Sequence, residues 1–331
     1  MAYEKGVAST ERDLLDKLNT FLTTHQDLVG KGQAWTKLFD RTLSETNLTV
    51  ARRQIAWKAT GTGVGQDIYV GAETVNSIAE DVYNITFFGG TFFNADLIKN
   101  EDIKTGFINI SPAVALFCDA RNFEYHFVAN GRHFKIATHI SKVTSTAYCG
   151  FILPTVPPTE YPYPICIAGS GPDAQRSYSG DFEKWNRYSN NDKYNSSIAM
   201  AKHENCWLMT PDQTWYDFYA DISGGSYSRE QAYRRLYPLK SVNDYKVKYV
   251  FARFTGLDCS PLIPIEFIST ENSSQGVNRW GAYDGVYWIP GIQRATGDVV
   301  TLKNGGKGIV LNDGYRTSTT SYFVFETESE A

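Results

Sequence analysis

The sequence predicts a mainly β protein, β-sandwich-like with antiparallel sheets and one N-terminal α-helix, with a β-dominated α+β arrangement as the fallback. Three observations predict it. From about residue 48 onward the apolar residues alternate with period two rather than 3.6. Short apolar runs are separated by turn chemistry, as at Asn130-Gly131, Asn304-Gly305-Gly306 and Asp313-Gly314. The 7 Trp, 21 Tyr and 19 Phe are residue types that suit half-wet sheet faces and surfaces that meet a partner.

The strong helical pattern lies at residues 9–24, where Leu14, Leu15, Leu18, Phe21 and Leu22 recur at helical spacing behind Thr10 and Asp13, which resemble a capping box. A helix with a single apolar stripe must dock on its own domain or on an adjacent subunit. Gly30 to Gly32 ends it, and extended structure begins at Ala34 to Phe39. Residues 49–58 and 67–75 read as strands of a long hairpin around a loop at 60–65, with further strands at 82–88, 123–129, 133–140 and 147–153. Asn130-Gly131 marks 123–140 as a hairpin, since both turn residues tolerate positive φ. Five prolines within residues 154–164 lack amide donors, so this segment is expected to run as an extended connector. Residues 170–203 are polar with weak periodicity, and strands at 206–209 and 215–219 flank the turn Thr210 to Gln213. The last third returns to strands at 247–254, 262–268, 285–289, 299–302, 308–311 and 322–325. The predicted organisation is a helical segment at 1–32, a first β-rich region at 33–169 ending in the proline-rich connector, an insertion at 170–245 and a C-terminal β-rich region at 246–331.

At 331 residues, with 42% hydrophobic and 21% charged residues, the chain can bury a sizeable core, and disorder, collagen and low complexity are excluded. The 32 Lys+Arg against 36 Asp+Glu leave a net charge of −4 and no global basic field, so a nucleic-acid partner is not expected. No apolar run approaches the roughly 18 residues of a spanning helix, and residues 1–13 hold no apolar h-region, so neither membrane insertion nor secretion is expected. The five cysteines, Cys118, Cys149, Cys166, Cys206 and Cys259, are odd in number and lack a C-x-x-C. They read as buried free thiols, with an interchain disulfide as the remaining option.

The candidates for chemistry are each incomplete. Gly61, Gly63 and Gly65 have no following Lys-Ser/Thr and no helix, so they read as a flexible hairpin loop rather than a phosphate cradle. His126 and His133 do not sit at matching offsets from the turn, His139 lies further on, and His203 with Cys206 lacks a second pair; no metal and no cofactor is expected. No G-x-S-x-G occurs, and Gly169-Ser170-Gly171 is only a glycine-flanked serine. Asp173, Asp181, Glu183 and Asp217 are the carboxylates a glycan hydrolase would use, but their spacing in sequence does not set their separation in space. With no complete motif, no catalytic residue is expected and the chain is not expected to be an enzyme. The aromatic and polar stretches at 178–194 and 276–288 offer Trp185, Tyr188, Trp280, Tyr283 and Trp288 as rings for stacking on sugars. The competing reading is a loop packed on the core or on another subunit.

Several segments, taken in order, carry a resemblance. They are Ala8 to Leu18 followed by Gln33 to Thr36, Asp67 to Gly71 with Tyr83-Asn84, Phe127 to His133, Thr146 to Pro154, Glu160 to Pro164 with Gly169-Ser170, and Asn312 to Thr317 with Tyr322-Phe323. Across nearly the whole chain this series resembles a family of virion proteins from tailed bacteriophages. The resemblance implies a structural component of the particle, of the tail, baseplate or neck, that acts by self-assembly into homo-oligomers and by docking to other virion proteins. It also implies localisation in the virion after synthesis in the bacterial host cytoplasm, and brings no catalytic residues. Symmetric assembly asks for aromatic-rich, charge-poor contact surfaces. The expected contact elements are the helix (Leu14, Leu18, Phe21), the proline connector (Tyr161, Tyr163) and the hairpin around 312–323 (Tyr315, Arg316). A carbohydrate-binding attachment protein is the alternative, and a glycan hydrolase the third reading.

Overall fold

The structure, a computed structural model, describes residues 1–43, 52–61, 66–77, 82–172, 197–201, 204–221, 234–240, 262–272, 275–314 and 322–328. Strand β1 (Ala2–Ala8) precedes helix α1 (Glu11–Thr24) and the short α2 (Gln26–Gly30). An antiparallel meander follows, of β2 (Thr36–Leu43), β3 (Arg52–Ala59), β4 (Ile68–Ser77) and β5 (Val82–Gly90). The short β6 (Phe92–Phe93) and β7 (Phe107–Ile108) pair with each other, and β8 (Val114–Phe117) returns to β5. A second meander is made of β9 (Phe123–Ala129), β10 (His133–Ile140) and β11 (Val143–Phe151). After β12 (Leu153–Pro154) come β13 (Ile165–Ala168), β14 (Gly171–Pro172), β15 (Cys206–Met209), β16 (Trp215–Asp217), β17 (Tyr219–Asp221) and β18 (Arg234–Lys240). The chain closes with β19 (Ile263–Asn272), β20 (Gln275–Ile289), β21 (Val299–Thr301), β22 (Lys307–Asn312) and β23 (Tyr322–Glu328).

These strands form three large sheets. The six-stranded sheet has the order β14-β8-β5-β4-β3-β2, the seven-stranded sheet β1-β9-β10-β11-β13-β15-β16, and the eight-stranded sheet β17-β18-β19-β20-β23-β22-β21 with β12 also pairing to β20. Side-chain alternation decides how they stack. Ala147, Cys149 and Phe151 of β11 join Trp57, Phe87 and Val114 of the six-stranded sheet in one core. Tyr148, from the same strand, joins Phe267, Trp288 and Phe325 of the eight-stranded sheet in another. The seven-stranded sheet is therefore the middle layer, covered on both faces. Every residue of β11 is buried as a result, and the strand reads as a run without polar alternation.

Helix α1 puts its whole apolar stripe into the first core, and Phe21 meets Phe127 with ring centroids 5.5 Å apart. Its start is fixed as the spacing predicts. The Thr10 hydroxyl accepts from the Asp13 amide at 3.1 Å, and the Asp13 carboxylate reaches back to the Ser9 amide at 2.8 Å, one residue earlier than in the usual capping box. In the same core Phe134 is ringed edge-on by Trp35, Trp57 and Phe87. The indole N–H of Trp35 donates to the Asn130 carbonyl at 2.9 Å, and that of Trp57 to Asn19 Oδ1 at 3.0 Å.

The mainly antiparallel β architecture and the N-terminal helix are as expected; several details differ. The 123–140 hairpin exists, but its turn is not an Asn-Gly turn with two positive φ angles. Asn130 pairs with His133 through Asn130 N–H to the His133 carbonyl, and its side-chain oxygen accepts from the Arg132 and His133 amides at 2.7 and 3.0 Å. The Asx turn thus does what backbone inversion was expected to do. The proline connector is not extended throughout, because the amides of Glu160 and Tyr161 both donate to the Pro157 carbonyl and wind a helical turn. Strands β1, β8, β13 and β18 were not expected. The described parts of 170–245 contribute β15 and β16 to the middle sheet and β17 and β18 to the eight-stranded sheet. The strand expected at 247–254 and most of the glycine loop at 60–65 lie outside the described residues.

Candidate functional site

Among the described residues, a group of buried ionisable side chains lies where the middle sheet meets the eight-stranded sheet. On the middle sheet it comprises Asn130, Arg132, His133 and Lys135, from the β9–β10 turn and the start of β10. On β20 it comprises Asp284 and Gly285, where the β19–β20 register breaks and the backbone bulges inward. Gly285 has φ +67, and a Cβ there would lie 2.6 Å from Lys135 Nζ, so only glycine lets the backbone approach the lysine. Lys135, fully buried, donates to the carbonyls of Asp284 at 3.0 Å and Gly285 at 2.9 Å and sits 5.7 Å from the centre of the Phe325 ring. The Asp284 carboxylate accepts from Arg132, lies 3.4 Å from His133 Nδ1 and 3.4 Å from Asn130 Nδ2. The His133 ring stacks on Tyr148 at 5.0 Å.

The electrostatics follow from burial. Burial pushes His133 down to about 4, against the opposing pull of Asp284, so the ring is neutral at neutral pH. Burial lowers Lys135 to about 8, with Asp284 and Glu326 opposing. For Asp284 burial acts to raise the pKa, but His133, Arg132 and Lys135 outweigh it and hold the carboxyl well below its usual range. Beside this group the Tyr283 hydroxyl contacts Cys206 Sγ at 3.1 Å, and Cys206 Sγ lies 4.0 Å from Cys166 Sγ. Burial pushes Cys166 and Tyr283 well up, so both stay protonated. The buried Asp284 carboxylate takes the Arg132 guanidinium while the Lys135 ammonium takes the Asp284 and Gly285 carbonyls, so the group ties the two layers together. Among the described residues no group of three or more His, Cys, Asp or Glu is placed to hold a metal ion, and no helix is long and apolar enough to cross a membrane.

The residues singled out from sequence are scattered. As contacts for another subunit, Leu14, Leu18 and Phe21 need correction: they are at most 2% exposed, because the helix spends its one stripe on its own core. Tyr161 is corrected likewise; it is buried, with its hydroxyl donating to the Met209 carbonyl, while Tyr163 is half-buried against the first core. Tyr315 and Arg316 lie outside the described residues. As sugar-stacking rings, Tyr283 and Trp288 are corrected too, since both belong to the second core. Trp280 is half-buried, with its indole N–H on Ser269 Oγ at 2.9 Å; Trp185 and Tyr188 lie outside the described residues. So do Asp173, Asp181, Glu183 and His203, while the Asp217 carboxylate accepts from the Glu204 amide at 2.8 Å. Cys118, Cys149, Cys166 and Cys206 are free and buried; Cys259 is outside the described residues. His126 opposes Ala137, not another histidine, and its Nδ1 meets Tyr3 Oη at 3.0 Å.

Sequence reading missed the Asp284 group. Its one legible signal was Lys135, a charge standing inside the apolar stretch Phe134 to Ile140. No family model matches the chain, and no curated protein matches it.

Proposed function

We propose that the chain is a structural component of a tailed-phage virion, of the tail, baseplate or neck, working by self-assembly and by docking to other virion proteins rather than by catalysis. The observation that carries this reading is the ordered series of segments resembling that family. The fold supports it in one respect: the segments Phe127 to His133 and Thr146 to Pro154 supply Asn130, Arg132, His133 and Tyr148, which tie the middle sheet to its neighbour. Residues carrying the resemblance thus perform a framework task. A second feature fits docking. Among the described residues the exposed Phe92 stands directly opposite the exposed Ile108, an apolar pair that a docked neighbour would cover.

Size-exclusion with light scattering on the purified chain, together with antibody-labelled micrographs of particles, tests the proposal. A discrete oligomer and label at one place on the particle are expected. A protein that stays monomeric on dilution and is absent from particles overturns it.

A further inference from the structure

We propose that the outer edge of β2 pairs antiparallel with the same edge of a second copy of the chain, Lys37 of each copy facing Asp40 of the other. The inference deepens the self-assembly part of the reading above and rests on that part alone.

Strand β2 ends the six-stranded sheet, and among the described residues no strand pairs with it on its far side. It is eight residues long, with Thr36, Lys37, Leu38, Asp40 and Thr42 exposed. Such an edge presents a row of main-chain donors and acceptors, which supply affinity, while the side chains set register and partner. Of the other strands that end the large sheets, β14, β16, β17 and β21 have two or three residues each, too few for a ladder. Only β1, with seven, is comparable.

A bulge decides which partner fits. Lys37 faces Trp57, Phe39 faces Ala56 and Asp40 faces Ile55 of β3, so Leu38 is an extra residue. In a regular strand, residues three apart point to opposite faces. The bulge instead puts Lys37 and Asp40 on the same face, where Lys37 Nζ donates to Asp40 Oδ2 at 2.8 Å. Two antiparallel copies of one edge are related by a two-fold axis normal to the sheet, which carries each face onto itself. Residues opposed across that axis must therefore share a face. Lys37 and Asp40 meet this condition because of the bulge, and an axis between Leu38 and Phe39 opposes lysine to aspartate twice per dimer. The same axis sets the exposed Leu38 against Phe39. A regular foreign edge has one residue too few to match the bulge, whereas a second copy brings the same count. Charges and a bulge that turn other edges away thus admit this one. Strand β1 has no such register: Glu4 and Lys5 are successive residues of a regular strand, lie on opposite faces and cannot oppose each other about a two-fold axis.

The test is light scattering on the full chain over a dilution series, for wild type, K37D, D40K and an equimolar mixture of the two variants. Wild type is expected to associate reversibly. Each variant alone should associate about tenfold more weakly, because like charges then meet twice per interface. The mixture should regain wild-type strength, since each cation again finds a carboxylate across the edge. Within either variant the chain's own pair at 37 and 40 stays broken, so recovery reports contact between copies. Asp40 also accepts from Arg53 at 3.0 Å, so D40K strains its own strand, and hydrogen exchange on wild type is measured beside it. Amides within 36–43 are expected to exchange more slowly as concentration rises. A mixture no stronger than its parts, or exchange at 36–43 indifferent to concentration, overturns the inference. A stable oligomer that both variants leave intact overturns it too, while self-assembly through another surface stands. An edge that pairs as described in a chain absent from particles overturns the virion reading and leaves this inference in place.

Discussion

At the scale of single residues the fold concentrates its risk in Asp284. Its carboxylate faces Arg132 and Lys135 across the layer boundary, and removing one member of a buried ion pair leaves the others uncompensated. D284N is expected to lower unfolding stability by about 3 kcal/mol, read as a drop in the urea midpoint; an unchanged midpoint would show that the pairing is incidental. Gly285 allows a sharper comparison. G285A must place a methyl against Lys135 Nζ at a positive φ, whereas Gly297, at φ +95, has no atom within 4 Å of where its Cβ would be. Both variants incur the backbone strain of roughly 1 to 2 kcal/mol, so G285A should lose clearly more stability than G297A. Equal losses would mean that the lysine cradle does not dictate the glycine.

At the scale of elements, local chemistry explains what could be read from sequence and what could not. The helix was legible because its stripe, its cap and its acids all point the same way. T10A should cost about 1 kcal/mol by orphaning the Asp13 amide, and L18A should cost about 3 kcal/mol by opening a cavity in the first core, both measured by thermal or urea unfolding. Should L18A prove nearly silent, the stripe would be free to serve a neighbour after all. Strand β1 was not legible because Ala2 to Ala8 carries Glu4, Lys5 and Gly6 on an edge strand, where only part of one face needs to be apolar. The bulge at Asp284-Gly285 was hidden for a different reason: an Asp-Gly pair inside a strand spells a turn locally, and only pairing with distant strands makes it an inward loop. The sugar-facing candidates failed on burial. Tyr283 stands between Ala282 and Asp284 and Trp288 between Tyr287 and Ile289, and the eight-stranded sheet turns both rings to the middle layer.

At the scale of the whole molecule, three stacked layers bury both faces of the middle sheet, and with them histidines that a two-layer sandwich would leave wet. Burial pushes both His126 and His133 down to about 4, while an unfolded chain protonates them near 6.5. Between those values the unfolded chain takes up protons that the folded chain refuses. Stability must therefore fall as pH drops from 6.5 toward 4 and stop falling on their account below it. At full extent the loss is on the order of 3 kcal/mol for each histidine. Lys135 acts in the same sense at the other end, since folding lowers it from 10.5 to about 8 and stability gains as pH climbs through that window. Burial also pushes Tyr148 and Tyr283 well above 10, which reverses the trend in strong alkali. Urea midpoints at pH 7, 5.5 and 4.5 are thus expected to decline steadily, and H126Q should flatten the decline by about half. A midpoint indifferent to pH across this range, or a slope that H126Q leaves intact, would mean that the middle layer is wetter than three stacked sheets allow.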